Sequence, residues 1–169
     1  MNVYPIYAAR KRLEMLKEVS PDAVIYLPMG RLGGDRAVEW LKERNIPLFC
    51  PLTLLQKRQE WEDDPRGLTG SYLSASVVLP EIDGGGRPEV LSVQDADENG
   101  YYQFMPVDDR VDDLVEAIYR QVKLQRMPNR DKRIAVVYLK GPGQSALTAA
   151  GLEVAPSLYE LLKRLKAEG

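Results

Sequence analysis

Two carboxylates at alternate positions, Glu81 and Asp83, lie in the run Leu79-Pro80-Glu81-Ile82-Asp83-Gly84-Gly85-Gly86. Such a pair on a glycine-rich turn can accept a proton or hold a cationic group. The plain alternative is turn geometry, for which proline, aspartate and glycine are well suited. A second segment, Lys140-Gly141-Pro142-Gly143-Gln144-Ser145-Ala146, follows an apolar run and precedes a helical pattern. In an open α/β sheet that position, at the carboxyl end of a strand, is where ligands bind. Backbone N–H groups there can hold a carboxylate or phosphate, and Lys140, Gly141 and Gly143 are the candidate binding residues. The glycine spacing matches neither the Walker loop nor the dinucleotide fingerprint. The loop Met29-Gly30-Arg31-Leu32-Gly33-Gly34 has the same placement and an equally unspecific pattern.

What is missing narrows the chemistry further. The 169 residues contain no histidine and one cysteine. That removes the commonest general base, the commonest transition-metal ligand and every Ser-His or Cys-His relay. It also excludes an internal disulfide and a cysteine-rich zinc site. Cys50 has apolar neighbours and reads as a buried, inert thiol. Asp108, Asp109, Asp112 and Asp113 resemble metal ligands, yet they open a helix whose dipole favours acids there, so no metal site is assigned. Any chemistry must use carboxylates, Tyr, Lys, Arg or backbone groups.

The elements that would position these residues follow from periodicity. A helix is predicted over 7–19, stopped at Ser20-Pro21, then a short buried strand over 23–27. Asp35 can cap a helix through Glu43, and the next strand covers 46–50. Strand, loop, helix and strand make a βαβ unit, which argues for a parallel sheet. Beyond Thr53 the pattern is read as helical as far as Asp64. Another helix starts near Thr69, its cap, and ends where Pro80 stops it. Strands over 88–95 and 101–107 flank the polar turn Asp97-Glu98-Asn99-Gly100 as a hairpin. A long amphipathic helix over 108–126 is followed by a linker over 127–132. The run 133–139 is the strongest strand signal in the chain, and a last helix covers 153–167. Trp40 and Trp61 fall on apolar helix faces and read as core.

The predicted fold class is therefore α/β: a Rossmann-like or flavodoxin-like parallel sheet flanked by helices, with a small hairpin element. The expected organisation is an α/β domain over 1–126, the linker, and over 133–169 the start of a second α/β unit that ends mid-unit. Apolar residues make up 44% and charged residues 28%, with a net charge of −2. With no basic surplus, nucleic acid and anionic membranes are not expected partners. No apolar run is long enough to span a bilayer, and a cytoplasmic setting is expected.

The order of motifs resembles a known family. Asn45-Ile46-Pro47-Leu48-Phe49, Gln56, Glu60-Trp61, Gly67-Leu68 and Leu79-Pro80-Glu81-Ile82-Asp83-Gly84 look like the large subunit of cobaltochelatase and the H subunit of magnesium chelatase. Lys132-Arg133-Ile134-Ala135-Val136, the stretch 151–157 and Leu161-Leu162-Lys163-Arg164-Leu165-Lys166 continue the match in the same order. The resemblance implies a segment of a very large, cytoplasmic, tetrapyrrole-binding subunit of an ATP-dependent chelatase, with cobalt insertion into a corrin precursor in cobalamin biosynthesis as the leading reaction. It implies no cofactor bound by this segment. ATP would be hydrolysed by smaller partner subunits, and cobalt or magnesium would be the divalent metal. The implied partners are the tetrapyrrole, the remaining domains of the large subunit and the ATPase subunits. Carried over by motif, Glu81 is the pocket carboxylate and catalytic candidate, with Asp83 supporting it as a substrate-binding residue; the segment alone is expected to be inactive. Relatives usually carry a Pro-Pro pair and a Gly-Asn where this chain reads Gly141-Pro142-Gly143-Gln144-Ser145, a departure that fits a subfamily with another substrate. A haem- or porphyrin-handling relative, a non-catalytic ligand-binding module and a subunit-docking module stay open as alternatives, since a sheet topology permits all of them.

Overall fold

The computed structural model describes Asn2 and residues 12–137, 148–149 and 152–169. These fall into two compact units, Met1–Val122 and Lys123–Gly169.

In the first unit, helix α1 (Arg12–Val19) leads through Ser20 into strand β1 (Val24–Ile25). Helix α2 (Asp35–Glu43) returns the chain to strand β2 (Leu48–Phe49). β1 and β2 pair in parallel, with Val24 opposite Leu48, so the βαβ unit forms as its periodicity predicted. The third strand of this sheet is β4 (Gly85–Gly86), parallel to β2. The order is β1-β2-β4. Leu16, Val24, Leu32, Ala37, Trp40, Leu41, Leu48 and Cys50 form one core cluster between α2 and the sheet. Asp35 does not cap α2; Gly34 occupies the N-cap position and Asp35 is the first helical residue, where its charge suits the helix dipole.

The chain then crosses into a second sheet. Pro51, which has no N–H to donate, marks the bend, and the hydrogen bonds Cys50 N–H to Gly86 O (2.8 Å) and Leu52 N–H to Glu89 O (2.8 Å) carry the pairing across it. Strand β3 (Leu52–Lys57) replaces the first half of the helix expected here, and only α3 (Arg58–Glu62) is helical. The reason lies in period two: Leu52 and Leu54 are both about 1% exposed and point to one side, against the buried Val90 and Val93 of the neighbouring strand. β3 pairs in parallel with β5 (Val90–Ala96), which pairs antiparallel with β6 (Tyr102–Pro106). This is the expected hairpin, its turn held by Asp97 accepting from the N–H groups of Asn99 and Tyr101, 2.9 Å each. Trp61, Leu68, Tyr72 and Val77 cover the inner face.

Between the sheets, α4 (Gly70–Leu73), a π-helical turn (Ser74–Val78) and α5 (Leu79–Ile82) run on without a break. Thr69 does stand at the N-cap, but its side chain makes no capping bond. Pro80 was expected to end this helix and does not. A proline ring clashes with the carbonyl four residues back in a regular α-helix, and the widened π turn just before Pro80 relieves that clash. The same geometry corrects the glycine-rich turn: Glu81 and Ile82 are helical, and Gly85–Gly86 is a strand. Helix α6 (Asp108–Arg126) buries Leu114 and Ile118 against Phe49.

In the second unit, a 3-10 turn (Asn129–Asp131) precedes residues 132–137, which form no strand. Ile134 (61% exposed) and Val137 (91%) have the composition of a strand, yet no described segment supplies a ladder for them. Residues 138 and 139 of that expected strand lie outside the described residues. β7 (Thr148–Ala149) and β8 (Leu152–Glu153) form a small antiparallel pair, and helix α7 (Val154–Ala167) closes the unit. Gly169 adopts φ 102° just beyond the helix, the left-handed stop that glycine allows.

Candidate functional site

Strand β1 delivers the chain into the loop from Pro28 to Gly34, where the backbone must reverse before α2. Gly30 (φ 98°) and Gly34 (φ 68°) make that possible, since both occupy the left-handed side of conformational space. The loop is then fastened to the helix that carries the candidate carboxylates. Gly30 N–H donates to Ala75 O at 2.8 Å, and the buried Ser76 hydroxyl donates to Pro28 O at 3.5 Å.

Asp83 completes the clamp. Its side chain is fully buried, one oxygen accepting from Arg31 Nε at 2.6 Å and the other from the Leu32 N–H at 3.0 Å. The outer nitrogen of Arg31 reaches Asp35 at 2.9 Å. Held by two carboxylates, the Arg31 guanidinium is pushed above its already high value, first by the Asp35 hydrogen bond and then by that of Asp83. Two segments 52 residues apart, each singled out in the sequence, are thus one structure: the Gly30–Gly34 loop and the turn after α5. Asp83 faces inward, so it shapes the loop from beneath.

Glu81, two residues away, points outward and is exposed. Both fastened segments expose large apolar side chains: Leu27 (60% exposed) and Met29 (90%) on the loop side, and Val78 (44%) and Ile82 (62%) on the helical stretch that carries Glu81. The two segments are joined by the hydrogen bonds that fasten Pro28 and Gly30 to Ser76 and Ala75. Exposed apolar side chains in the segment that follows a parallel strand have the composition of a ligand-facing edge. Arg31 is the residue that inspection of the sequence missed. Its signal was present, a lone cation in a glycine loop after a buried strand, but nothing local named its partner. Lys140, Gly141 and Gly143 lie outside the described residues.

Beneath the clamp, Cys50 is 2% exposed. Burial, helped by the negative charge of Asp83, pushes its thiol from 9.0 up to about 11. At pH 8 the folded protein is therefore expected to react with a thiol reagent at least ~100-fold more slowly than the unfolded chain, since the thiolate is the reacting form. Because the folded value is raised, the associated stability is complete below pH 9 and is lost as pH rises toward 11. Labelling kinetics with and without denaturant check this; equal rates would place Cys50 at the surface.

The start of α6 is acidic, where the helix dipole favours such charges. Asp108 and Asp109 stand in its first turn, and among the described residues no group of three or more His, Cys, Asp or Glu could hold a metal ion. A shallow cavity of about 390 Å³ is lined by Arg87, Glu89, Asp109, Arg110, Asp113 and Glu116, none of them in the clamp. Arg87 pairs there with Glu89 at 2.8 Å, and Arg110 lies over the Trp61 ring at 5.0 Å. Trp40 is core, as expected, and Trp61 packs against the second sheet. No helix among the described residues is long and apolar enough to cross a membrane.

Comparison with known proteins bears on the family and the fold. The chain is similar to the aerobic cobaltochelatase subunit CobN of Pseudomonas aeruginosa, 28% identical over 134 residues, which cover 75% of this chain and 11% of that protein. It is 33% identical over 140 residues to the H subunit of the magnesium chelatase of Chlorobaculum parvum, covering 80% of this chain and 10% of that protein. Among solved structures, the catalytic subunit of cobaltochelatase from Mycobacterium tuberculosis superposes with a TM-score of 0.70 at 24% identity, over 96% of this chain and 14% of that one, and so shares the fold. The chain spans 10–14% of the length of its curated relatives. The family model for CobN/Magnesium Chelatase matches residues 1–169, and the chain belongs to that family.

Proposed function

We propose that this chain forms one wall of a tetrapyrrole cleft in the large subunit of an ATP-dependent metal chelatase, serving cobalt insertion into a corrin precursor in cobalamin biosynthesis. The observation that carries the reading is the exposed Glu81 carboxylate, on a helix that also exposes Val78 and Ile82 and that Asp83 and Arg31 fasten to the loop following Leu27. Inserting a divalent metal into a metal-free tetrapyrrole displaces the inner N–H protons of the ring, and a base must receive them. Glu81 takes that role, while the apolar rim meets the macrocycle and keeps water from it. Asp83 acts through Arg31 and Leu32, fixing the loop so that the rim keeps its shape. Lys140, Gly141 and Gly143 are assigned to the peripheral carboxylates of the substrate. The metal arrives as substrate. Its remaining ligands, like ATP hydrolysis, belong to the other domains of the large subunit and to partner ATPase subunits. We assign the assembly to the cytoplasm.

In the assembled full-length enzyme, Glu81→Gln is expected to lower the metal-insertion rate by about 100-fold, the ordinary contribution of a positioned acid or base, with the unfolding transition unchanged. Turnover measured by the absorbance change on metallation decides it. A variant as fast as the parent removes Glu81 from the mechanism.

A further inference from the structure

The π turn and Pro80 together leave one backbone carbonyl without a donor in its own helix. Leu79, which closes the turn, donates its N–H to Ser74 O, five residues back. In a regular α-helix the same N–H would reach Ala75 O, four residues back. In the wider register the donor for Ala75 O is the N–H of residue 80, and that residue is proline, which has none. A return to the α register is blocked, because the Pro80 ring would meet the Ser76 carbonyl. Ala75 is half-buried, and a carbonyl in that setting takes a partner from elsewhere. The Gly30 N–H of the loop supplies it at 2.8 Å.

We infer that Pro80 is a positioning residue for the Pro28–Gly34 loop, acting through the Ala75 carbonyl that its missing N–H leaves open. The Gly30 bond is the firmer link at this end of the loop. The Ser76 hydroxyl stands 3.5 Å from Pro28 O, at the limit of hydrogen bonding. The far end has its own tether, from the Leu32 N–H to Asp83 at 3.0 Å. Pro80 is fully buried and lies in the same helix as the outward Glu81, so one side chain sets the helix register and the loop position together. The inference concerns backbone partners and rests on no choice of substrate.

Two NMR measurements on the 169-residue chain test it: scalar couplings across hydrogen bonds and amide hydrogen exchange. In the parent, the Gly30 N–H should couple to the Ala75 carbonyl and the Leu79 N–H to that of Ser74. Coupling of Leu79 to Ala75 instead overturns the inference before any substitution is made. Pro80→Ala and Pro80→Val both restore an N–H, and in either helical register Ala75 O then gains a donor from its own helix. Alanine leaves a gap where the ring was, whereas valine is close to proline in bulk, so the pair separates the restored donor from lost packing. Both variants are expected to speed exchange at Gly30 about tenfold, the ordinary weight of one backbone hydrogen bond. Leu32 and Tyr26, whose N–H groups are held by Asp83 at 3.0 Å and by Phe49 O at 2.8 Å, should keep their parent rates. An equal rise at all three amides reports general loosening and overturns the positioning role. So does a parent-like rate at Gly30 in both variants, or acceleration in the alanine variant alone, which would assign the effect to packing.

Discussion

Replacing Asp83 with alanine is expected to lower the free energy of unfolding by about 2–4 kcal/mol. The substitution leaves the Leu32 N–H, now facing a cavity, and the Arg31 guanidinium without the acceptor that both share. Removing one partner of a buried pair exposes the whole desolvation cost of the other, whereas making the pair contributes little. The figure sits at the lower end of the usual range because the Arg31 side chain is 35% exposed and water can replace part of what it loses. Asp83→Asn should fall between, since an amide oxygen can still accept from Leu32 while the ion pair is lost. Urea titrations of the two variants give the comparison. Parent-like midpoints for both would mean that the carboxylate fastens nothing, and the positioning role assigned to it would go with them.

The second large effect is expected at Gly85. A β-carbon built there would lie 2.5 Å from Cys50 Sγ and 2.9 Å from the Pro80 carbonyl oxygen, closer than real atoms approach. Glycine is present because strand β4 must pass hard against both the neighbouring strand and the end of the helix. Gly85→Ala should cost about 2–3 kcal/mol through forced backbone movement. Cys50→Ala removes the nearer obstacle but not the carbonyl. The double variant is therefore expected to be less damaged than the two single effects combined, by about 1 kcal/mol. Strict additivity in thermal or urea unfolding would show that the close approach to Cys50 is not the source of the strain.

Both effects arise from contacts that no local pattern announces, and this separates what could be read early from what could not. The parallel pairing of Val24 with Leu48, the hairpin around Asp97 to Gly100 and the helices Asp108–Arg126 and Val154–Ala167 were legible because each writes its own period or turn chemistry into a short window. Beyond Thr53 the run to Lys57 reads as helix for the opposite reason: a short apolar stretch satisfies either period, and only pairing with β5 settles it. Pro80 misled because the π turn that accommodates it leaves no mark in composition.

At the site, residue types alone excluded histidine, disulfide and cysteine-metal chemistry and put Glu81 and Asp83 forward together. The fold then separated them. Glu81 was left at the surface, while Asp83 was turned inward to a guanidinium 52 residues earlier in the chain. Composition and periodicity act over a few residues, so they specify elements and the chemistry available. Which carboxylate stays free depends on segments distant in sequence meeting in space, and that is fixed when loop, helix and sheet pack against one another.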